Sequence, residues 1–358
     1  MIADAAAGNA HAAFAVLDRY GVRWCLWRGS PRAARAFAGE SDFDLLVDPG
    51  GIAAATMALV RADARRVSGH DSEPGTEDWF ALGGPVGPLQ HLHVHYRLVA
   101  GPPGCARLTL PWTDEVLHAR VRRRDGLFVA DPLHECALLL LRCSVQLRAR
   151  DRLWPAVANA LAAKVRGDML ALRPGQDLAA VRAWLEQRLA TRLPIGTDVA
   201  AVTVASLWRL RSALLLALRP LAARGAATAA CIAGGRDLRV ALRHAARRLH
   251  LVPPVVGRTV LRGGALVVLQ GGDGRGAAVA RDLVALCAGK FEIRAFDAAN
   301  LAAALRVRAR GALALVVADG APLPWPLAAA PDATVRLDGP GGHAADLAAA
   351  TCAVWALF

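Results

Sequence analysis

The sequence is poor in lysine, in aromatic residues and in long apolar runs, and each shortage argues against a class of protein. Only two of the 43 basic residues are lysine, so arginine carries almost all of the formal net charge of +13. We interpret this as a bias of the whole composition, which makes the charge weak evidence for a nucleic-acid partner. Aromatic residues make up 5% of the chain, which is sparse for a protein that stacks single-stranded bases.

Membrane-spanning and secreted classes are also disfavoured. No apolar run approaches the roughly 20 residues that cross a bilayer, and the N-terminus lacks the basic region of a secretory signal. The seven cysteines are irregularly spaced without a C-x-x-C pair, which argues against a disulfide framework and against a cysteine zinc site. We therefore predict a cytoplasmic protein with reduced thiols and no membrane span.

Charge and element pattern divide the chain into three predicted domains. Residues 1–100, 101–255 and 256–358 carry net charges of −2, +13 and +2. A helix followed by mixed strands and helices predicts an α+β fold in the first domain, and amphipathic helices predict an α-helical second domain. Short apolar strands alternating with helices predict an α/β parallel sheet in the third, after a linker at Pro253-Pro254.

An acidic pair in the first domain is the strongest chemical motif. Asp42 and Asp44 stand at i and i+2 on a predicted strand, so both side chains project from the same face. Carboxylates so placed can hold Mg²⁺ together with substrate phosphates. Upstream, Gly29 and Ser30 form a turn. A phosphate can approach the backbone amides of this turn closely, because glycine has no side chain.

This pattern, over about residues 10–100, resembles the nucleotidyltransferase fold of the DNA polymerase β superfamily. The resemblance implies that Asp42 and Asp44 bind Mg²⁺ or Mn²⁺ and that Gly29 and Ser30 hold the phosphates of a nucleoside triphosphate. Arg28 would stabilise the phosphate charge. The implied reaction is the transfer of a nucleoside monophosphate to a hydroxyl of a small molecule or saccharide, with release of pyrophosphate.

The family places a third carboxylate on a later strand, and this chain departs from it there. By resemblance His93 stands where the acid belongs, and we include it among the candidate metal ligands. Imidazole prefers Zn²⁺ and similar ions to Mg²⁺. Either a third ligand comes from Glu73, Glu77 or Asp78, or two-metal catalysis is weakened.

Three histidines alternate along the same strand. His91, His93 and His95 share one face by this spacing, which is compatible with a transition-metal site. A half-exposed strand face also carries histidines without any ligand, and the sequence alone leaves both interpretations open.

A glycine-rich loop opens the third domain. Gly271, Gly274 and Gly276 lie between a predicted strand and a predicted helix, in the G-x-x-x-x-G context of a phosphate-binding loop. Over about residues 256–358 the chain resembles thymidylate-kinase-like P-loop proteins, including a strand ending at Asp319 and the segment 331–338.

Two alanines distinguish the loop from an active one. The family has lysine and serine where this chain has Ala277 and Ala278, so the groups that neutralise the phosphates and hold Mg²⁺ are absent. We predict a degenerate kinase-like domain without kinase activity. Glycine amides at a helix N-terminus can still attract an anion.

Arginines cluster in the middle domain without a recognisable nucleic-acid motif. We interpret them as a solvated surface and do not favour nucleic acid as a partner. They are Arg120, Arg122, Arg123 and Arg124, followed by a stripe of Arg239, Arg243, Arg247 and Arg248.

Two functions remain open at this stage. The first is a metal-dependent nucleotidyltransferase, whose activity is weakened if no third carboxylate joins Asp42 and Asp44. The alternative is a catalytically inactive nucleotide-binding or scaffold protein in which both ancestral sites are eroded.

Overall fold

The structure is a computed structural model that describes twelve stretches of the chain. These are residues 10–67, 75–83, 87–100, 108–147, 155–172, 178–232, 264–272, 274–287, 292–309, 312–319, 331–337 and 342–357. Residues 238–249 have the apolar periodicity that predicts a further helix of the second domain, but they lie outside the described residues. The linker at Pro253-Pro254 and the arginine stripe that begins at Arg239 lie outside them as well.

A mixed sheet forms the N-terminal part of the fold. The strands before residue 130 are β1 (Trp24–Arg28), β2 (Asp42–Val47), β3 (Arg65–Val67), β4 (Thr76–Leu82), β5 (Leu89–His95), β6 (Val99–Ala100), β7 (Leu108–Thr109), β8 (Val121–Arg122) and β9 (Phe128–Val129). Seven of them form one sheet in the order β3-β4-β5-β2-β1-β9-β8, whereas β6 and β7 pair separately. The sheet therefore extends beyond residue 100, where the sequence predicts the first domain to end.

Helices cover the apolar face of this sheet. They are α1 (Ala10–Arg19), α2 (Ala33–Phe37) and α3 (Ile52–Arg61). Phe43, Leu45 and Val47 of β2 point into a core shared with α1 and α3. Because side chains alternate along a strand, the same pattern directs Asp42 and Asp44 to the opposite face.

The middle of the chain is helical, as predicted. Its helices are α4 (Thr113–His118), α5 (Pro132–Gln146), α6 (Pro155–Leu172), α7 (Ala179–Leu189) and α8 (Val204–Ile232). Helix α5 packs against α6, α7 and α8. Glycine disfavours a helix interior, so the sequence predicts a break at Arg224-Gly225. That prediction is wrong, because α8 continues through both residues. One interior glycine costs a helix only about 1 kcal/mol, which a long helix tolerates.

A second, separate sheet is parallel throughout. It consists of β10 (Ala265–Gly271), β11 (Ile293–Asp297), β12 (Leu313–Asp319) and β13 (Ala333–Arg336) in the order β11-β12-β10-β13. Helices α9 (Arg275–Cys287), α10 (Leu301–Ala309) and α11 (Gly342–Ala356) accompany it. Strand β10 is buried on both faces, as parallel strands between helical layers are. The predicted combination of a mixed α+β sheet and a separate parallel sheet is confirmed.

The two sheets share apolar contacts. Phe80, Leu82 and Leu89 of the first sheet belong to the same buried cluster as Leu269 and Trp355. Among the described helices, none combines the length and the apolar character needed to cross a membrane.

We expect Leu45→Ala to destabilise the fold by about 2–5 kcal/mol, because it removes a fully buried side chain and leaves a cavity. Met57→Ala on α3 serves as the control, since that side chain is 55% exposed, and its effect should stay within about 0.5 kcal/mol. Chemical denaturation followed by circular dichroism measures both changes. Equal shifts in the two variants would contradict the position of this core.

Candidate functional site

The candidate site is a polar face made by two adjacent parallel strands. The pairing of β2 with β5 sets Asp42 beside His91 and Asp44 beside His93. Both acids therefore share one face, as their i and i+2 spacing predicts. Strand β1 borders the face on one side and β4 on the other.

Asp42 is engaged by a buried histidine. His91 Nδ1 lies 2.9 Å from Asp42 Oδ1, and His91 Nε2 lies 2.8 Å from Asp78 Oδ1. Its ring stacks on Phe80 with 4.6 Å between centroids. Burial acts to lower the pKa of His91, but the hydrogen bonds with the two carboxylates outweigh it and raise that pKa. Asp42 thus faces a basic side chain of the chain itself, and these contacts favour the protonated form of that side chain.

Asp44 is surrounded by three basic side chains. Its Oδ1 makes an ion pair with Arg28 and lies 3.5 Å from both His93 Nδ1 and His95 Nε2. Burial acts to raise the pKa of Asp44, but the charge of Arg28 and the close approach of the His93 and His95 rings outweigh it. The pKa is therefore well below its ordinary value, and Asp44 is ionised at neutral pH.

His95 is the most buried member of this group. Its side chain is 1% exposed, and its ring meets Trp27 edge-on with 5.2 Å between centroids. Burial lowers the pKa of His95 to about 4, so the ring is neutral at pH 7. Within the described part of the chain, neither ring nitrogen has a partner with hydrogen-bond geometry.

The Gly29-Ser30 turn is held by a carboxylate from α5. Gly29 has φ 74°, a left-handed conformation that favours glycine. The Ser30 amide donates to Glu135 Oε1 at 2.9 Å, and the Ser30 hydroxyl donates to Oε2 at 2.6 Å. Arg123 Nη1 donates to the Ser30 carbonyl at 2.6 Å. A phosphate could reach the Ser30 amide only by displacing Glu135.

Burial changes the pKa of the Glu135 carboxyl group. Its side chain is almost inaccessible, and this burial raises its pKa to about 7, against the opposing effect of the hydrogen bonds from Ser30. Glu135 therefore changes charge near neutral pH.

The upstream acids considered as third ligands do not complete a carboxylate triad on the described face. Glu77 accepts hydrogen bonds from Trp79 Nε1 and the Tyr96 hydroxyl, at 2.9 and 2.8 Å. Asp78 reaches His91 instead, and Glu73 lies outside the described residues.

The donors of this face do not fit the Mg²⁺ that the family resemblance implies. Mg²⁺ demands octahedral geometry with oxygen ligands. Among the residues that the structure describes, the one group of three ligating side chains is Asp44, His93 and His95, which offers one oxygen and two nitrogens. The sequence predicts Asp42, Asp44 and His93 as ligands, whereas this group contains His95 and does not contain Asp42.

The glycine-rich loop has the predicted surroundings. It links β10 to α9, with Gly274 in a left-handed conformation at φ 75° and Gly276 buried. A Cβ on Gly271 would come within 3.1 Å of Leu337 Cβ. The register places Gly271 beside Asp319.

The side chains at this loop do not replace the lysine of the family. Ala277 is exposed and Ala278 is half-buried. Arg275 Nη1 lies 3.3 Å from the carbonyl oxygen of Leu337 and 3.8 Å from Asp346 Oδ2. Its guanidinium therefore contacts the residue after β13 and a carboxylate of α11.

The arginine cluster of the middle segment makes contacts within the chain. The guanidinium groups of Arg120 and Arg122 lie 4.4 and 5.4 Å from the ring centroid of Phe128. Arg123 also pairs with Asp125 at 2.9 Å. The Asp125 carboxylate offsets the charge of Arg123, whereas the ring of Phe128 orients the other two guanidinium groups.

Sequence reasoning missed the contact of Glu135 with Ser30, and it left the transition-metal interpretation of His91, His93 and His95 open without grouping His95 with Asp44. Glu135 contacts Ser30 across 105 residues of sequence, and no local sequence pattern predicts a contact between residues so far apart. His95 shares the alternation of His91 and His93, and that signal was present in the sequence.

Comparison with family models, with curated proteins and with solved structures finds no match to this chain. The family resemblances thus depend on the short motifs at Gly29-Ser30, at Asp42 and Asp44, and around Gly271. The geometry of the polar face carries the functional proposal.

We expect Glu135→Gln to remove a pH dependence of stability. The folded-state pKa of about 7 exceeds the ordinary value of 4.5, so the folded state binds the proton more tightly. Wild-type stability relative to the variant should fall as the pH rises from 4.5 to 7, by an amount on the order of 3 kcal/mol.

Denaturant midpoints of both proteins across this range measure the difference. Glu40→Gln is the control, because that side chain is 60% exposed. Parallel pH profiles of wild type and Glu135→Gln would contradict the buried position of Glu135.

Proposed function

We propose that this chain is a catalytically inactive, nucleotidyltransferase-like protein that serves as a nucleotide-binding or scaffold protein. The observation that carries the proposal is that Asp42 and Asp44, the two acids expected to hold the catalytic cation, each face a basic side chain of the chain itself. The degenerate kinase-like loop is part of the same proposal.

The charge balance of the polar face supports inactivity. Two-metal transfer needs cations that bind both the attacking and the leaving oxygens, and those cations need free carboxylates. Here Arg28 neutralises Asp44 at 15% and 16% side-chain exposure, where solvent screening of the pair is limited. Removing either partner would leave an uncompensated, largely buried charge, which is strongly unfavourable.

The occupied turn supports the same conclusion. Glu135 uses the amide and the hydroxyl of Ser30, which the family resemblance assigns to the triphosphate. An ionised Glu135 would also repel a phosphate brought to this turn. Triphosphate binding there would require α5 to withdraw its carboxylate.

The second sheet supports only weak nucleotide binding. Positions 277 and 278 carry alanine instead of lysine and serine, so an anion would be bound only by backbone amides at the start of α9. Such amides attract phosphate but supply neither the neutralising cation nor the Mg²⁺ ligand of phosphoryl transfer.

Metal-dependent nucleotidyl transfer is the second candidate, and one observation favours it. The side chains of Asp42 and His93 are 30% and 22% exposed, so solvent reaches the polar face beside Asp44. In that case the nucleoside monophosphate would pass from the triphosphate to a hydroxyl of a small molecule or saccharide, after Arg28 and Glu135 had moved.

We expect no pyrophosphate release above background when the full chain is incubated with the four nucleoside triphosphates, Mg²⁺ or Mn²⁺, and monosaccharides as hydroxyl acceptors. An enzyme-coupled pyrophosphate assay measures the rate. The Asp42→Ala/Asp44→Ala variant provides the background, because it lacks both acids. Release by the wild type that disappears in this variant would overturn the proposal and establish the second candidate.

We expect Ala277→Lys/Ala278→Ser to gain affinity for Mg²⁺-ATP, since the two side chains restore the groups that bind phosphate and metal. One charge-assisted hydrogen bond contributes about 1.5–3 kcal/mol, so titration calorimetry should show a gain of at least roughly tenfold.

Ala285→Lys is the matched control for this variant. It adds the same charge at an exposed position further along α9 and should leave the affinity unchanged. A wild-type chain that already binds and hydrolyses ATP as well as the double variant would contradict the degenerate character of the loop.

A further inference from the structure

The polar face contains a cluster of three potential ligands, Asp44, His93 and His95, which we call the Asp-His-His cluster. One ligand atom from each residue lies within 4.8 Å of the other two. The cluster arises from the backbone register, because His93 sits beside Asp44 and His95 follows two residues later on the same face of β5.

The distances in the cluster match a metal coordination shell better than a hydrogen-bonded network. Asp44 Oδ1 is 3.5 Å from His93 Nδ1 and 3.5 Å from His95 Nε2. Bonds of about 2.0–2.1 Å to a tetrahedral Zn²⁺ place neighbouring ligand atoms about 3.3 Å apart. The observed separations are therefore close to two edges of such a tetrahedron.

The buried end of the cluster contains an unsatisfied polar side chain. His95 is 1% exposed, and neither of its ring nitrogens finds hydrogen-bond geometry with another described residue. Burial removes the hydration of this imidazole, and no hydrogen bond replaces it. A cation bonded to Nε2 would supply the missing partner.

The other end of the cluster is open to solvent. His93 is 22% exposed, so an ion can reach the cluster from its side of the face. Three protein ligands with one accessible side are the arrangement of zinc sites that keep a fourth position for water or substrate. Two imidazoles and one carboxylate also favour a borderline transition metal over Mg²⁺.

We propose that the Asp-His-His cluster binds one Zn²⁺ ion through Asp44, His93 and His95, with the fourth position left to water. The site shares Asp44 with the acidic pair considered above but uses neither Asp42 nor the Ser30 turn, and Zn²⁺ must displace Arg28 from the Asp44 oxygen to bind there. Zinc binding by an otherwise inactive chain is fully compatible with the proposed function.

Arg28 sets the affinity of this site. Its guanidinium occupies the Asp44 oxygen that both histidine nitrogens approach and lies 4.8 Å from the ring centroid of Trp27. The ion and the guanidinium compete for the same negative charge. Removing the guanidinium therefore strengthens zinc binding, whereas removing a ligand weakens it.

The test is a titration of the full chain, freed of metal by a chelator, with Zn²⁺ alone. Calorimetry gives stoichiometry and affinity, and Co²⁺ provides a visible spectrum that reports four-coordination. We expect one ion per chain, a rise in the unfolding temperature on binding, and no displacement of Zn²⁺ by an excess of Mg²⁺.

Variants distinguish the cluster from adventitious binding. His93→Ala and His95→Ala should weaken binding by more than the 10–100-fold typical of losing an outer-shell partner. Arg28→Gln should strengthen it. His118→Ala is the control, because it removes a 65% exposed histidine and should leave the affinity unchanged. His95 is in the core, so if its variant fails to fold, the exposed position of His93 makes His93→Ala decisive.

Unchanged zinc affinity in folded His93→Ala would overturn the proposal, as would the absence of stoichiometric binding by the wild type. Equal competition by Mg²⁺ would also overturn it. The pyrophosphate assay is independent of these results, so failure of the zinc site and failure of the proposed function are distinguishable.

Discussion

The parallel pairing of β2 with β5 is the constraint on which the chemistry of this protein depends. It sets Asp44 beside His93 and Asp42 beside His91. A shift of one residue would send both acids into the apolar core, because side chains alternate between the faces of a sheet. The outer neighbours β1 and β4 then bring Arg28 and Asp78 to the same face. Positive and negative groups are thereby matched across four strands.

The amino-acid sequence predicts the parts of the site that depend on local spacing. The common face of Asp42 and Asp44 and the histidine at position 93 follow from alternation and motif. The ion pair with Arg28 does not, since the register shifts between Leu26 and Arg28. Glu135 was equally inaccessible to prediction, because its contact with Ser30 depends on how α5 packs on the sheet.

In the fold, too, elements that depend on local sequence are predictable, and elements that depend on contacts between distant residues are not. Helix α5 is periodic over enough residues to be recognised, and β10 is recognisable as a continuous apolar run before a glycine-rich turn. Strands β8 and β9 contain two residues each, too few to show any period. Helix α8 continues through Gly225, because a long helix tolerates the roughly 1 kcal/mol that one interior glycine costs. The pairing of β8 and β9 into the sheet is a tertiary contact, which no window of sequence contains.

Strand β9 lies far along the sequence but pairs with β1 in the N-terminal sheet, and this pairing affects where the chain can be truncated. Its backbone covers one side of β1, where the Ala130 amide donates to the Leu26 carbonyl at 2.8 Å. A fragment ending at residue 100 would lose this cover and expose β1 as an apolar edge strand. Such edges recruit strands from other molecules, so we expect that fragment to aggregate, whereas a fragment that includes the residues up to 130 keeps β1 paired.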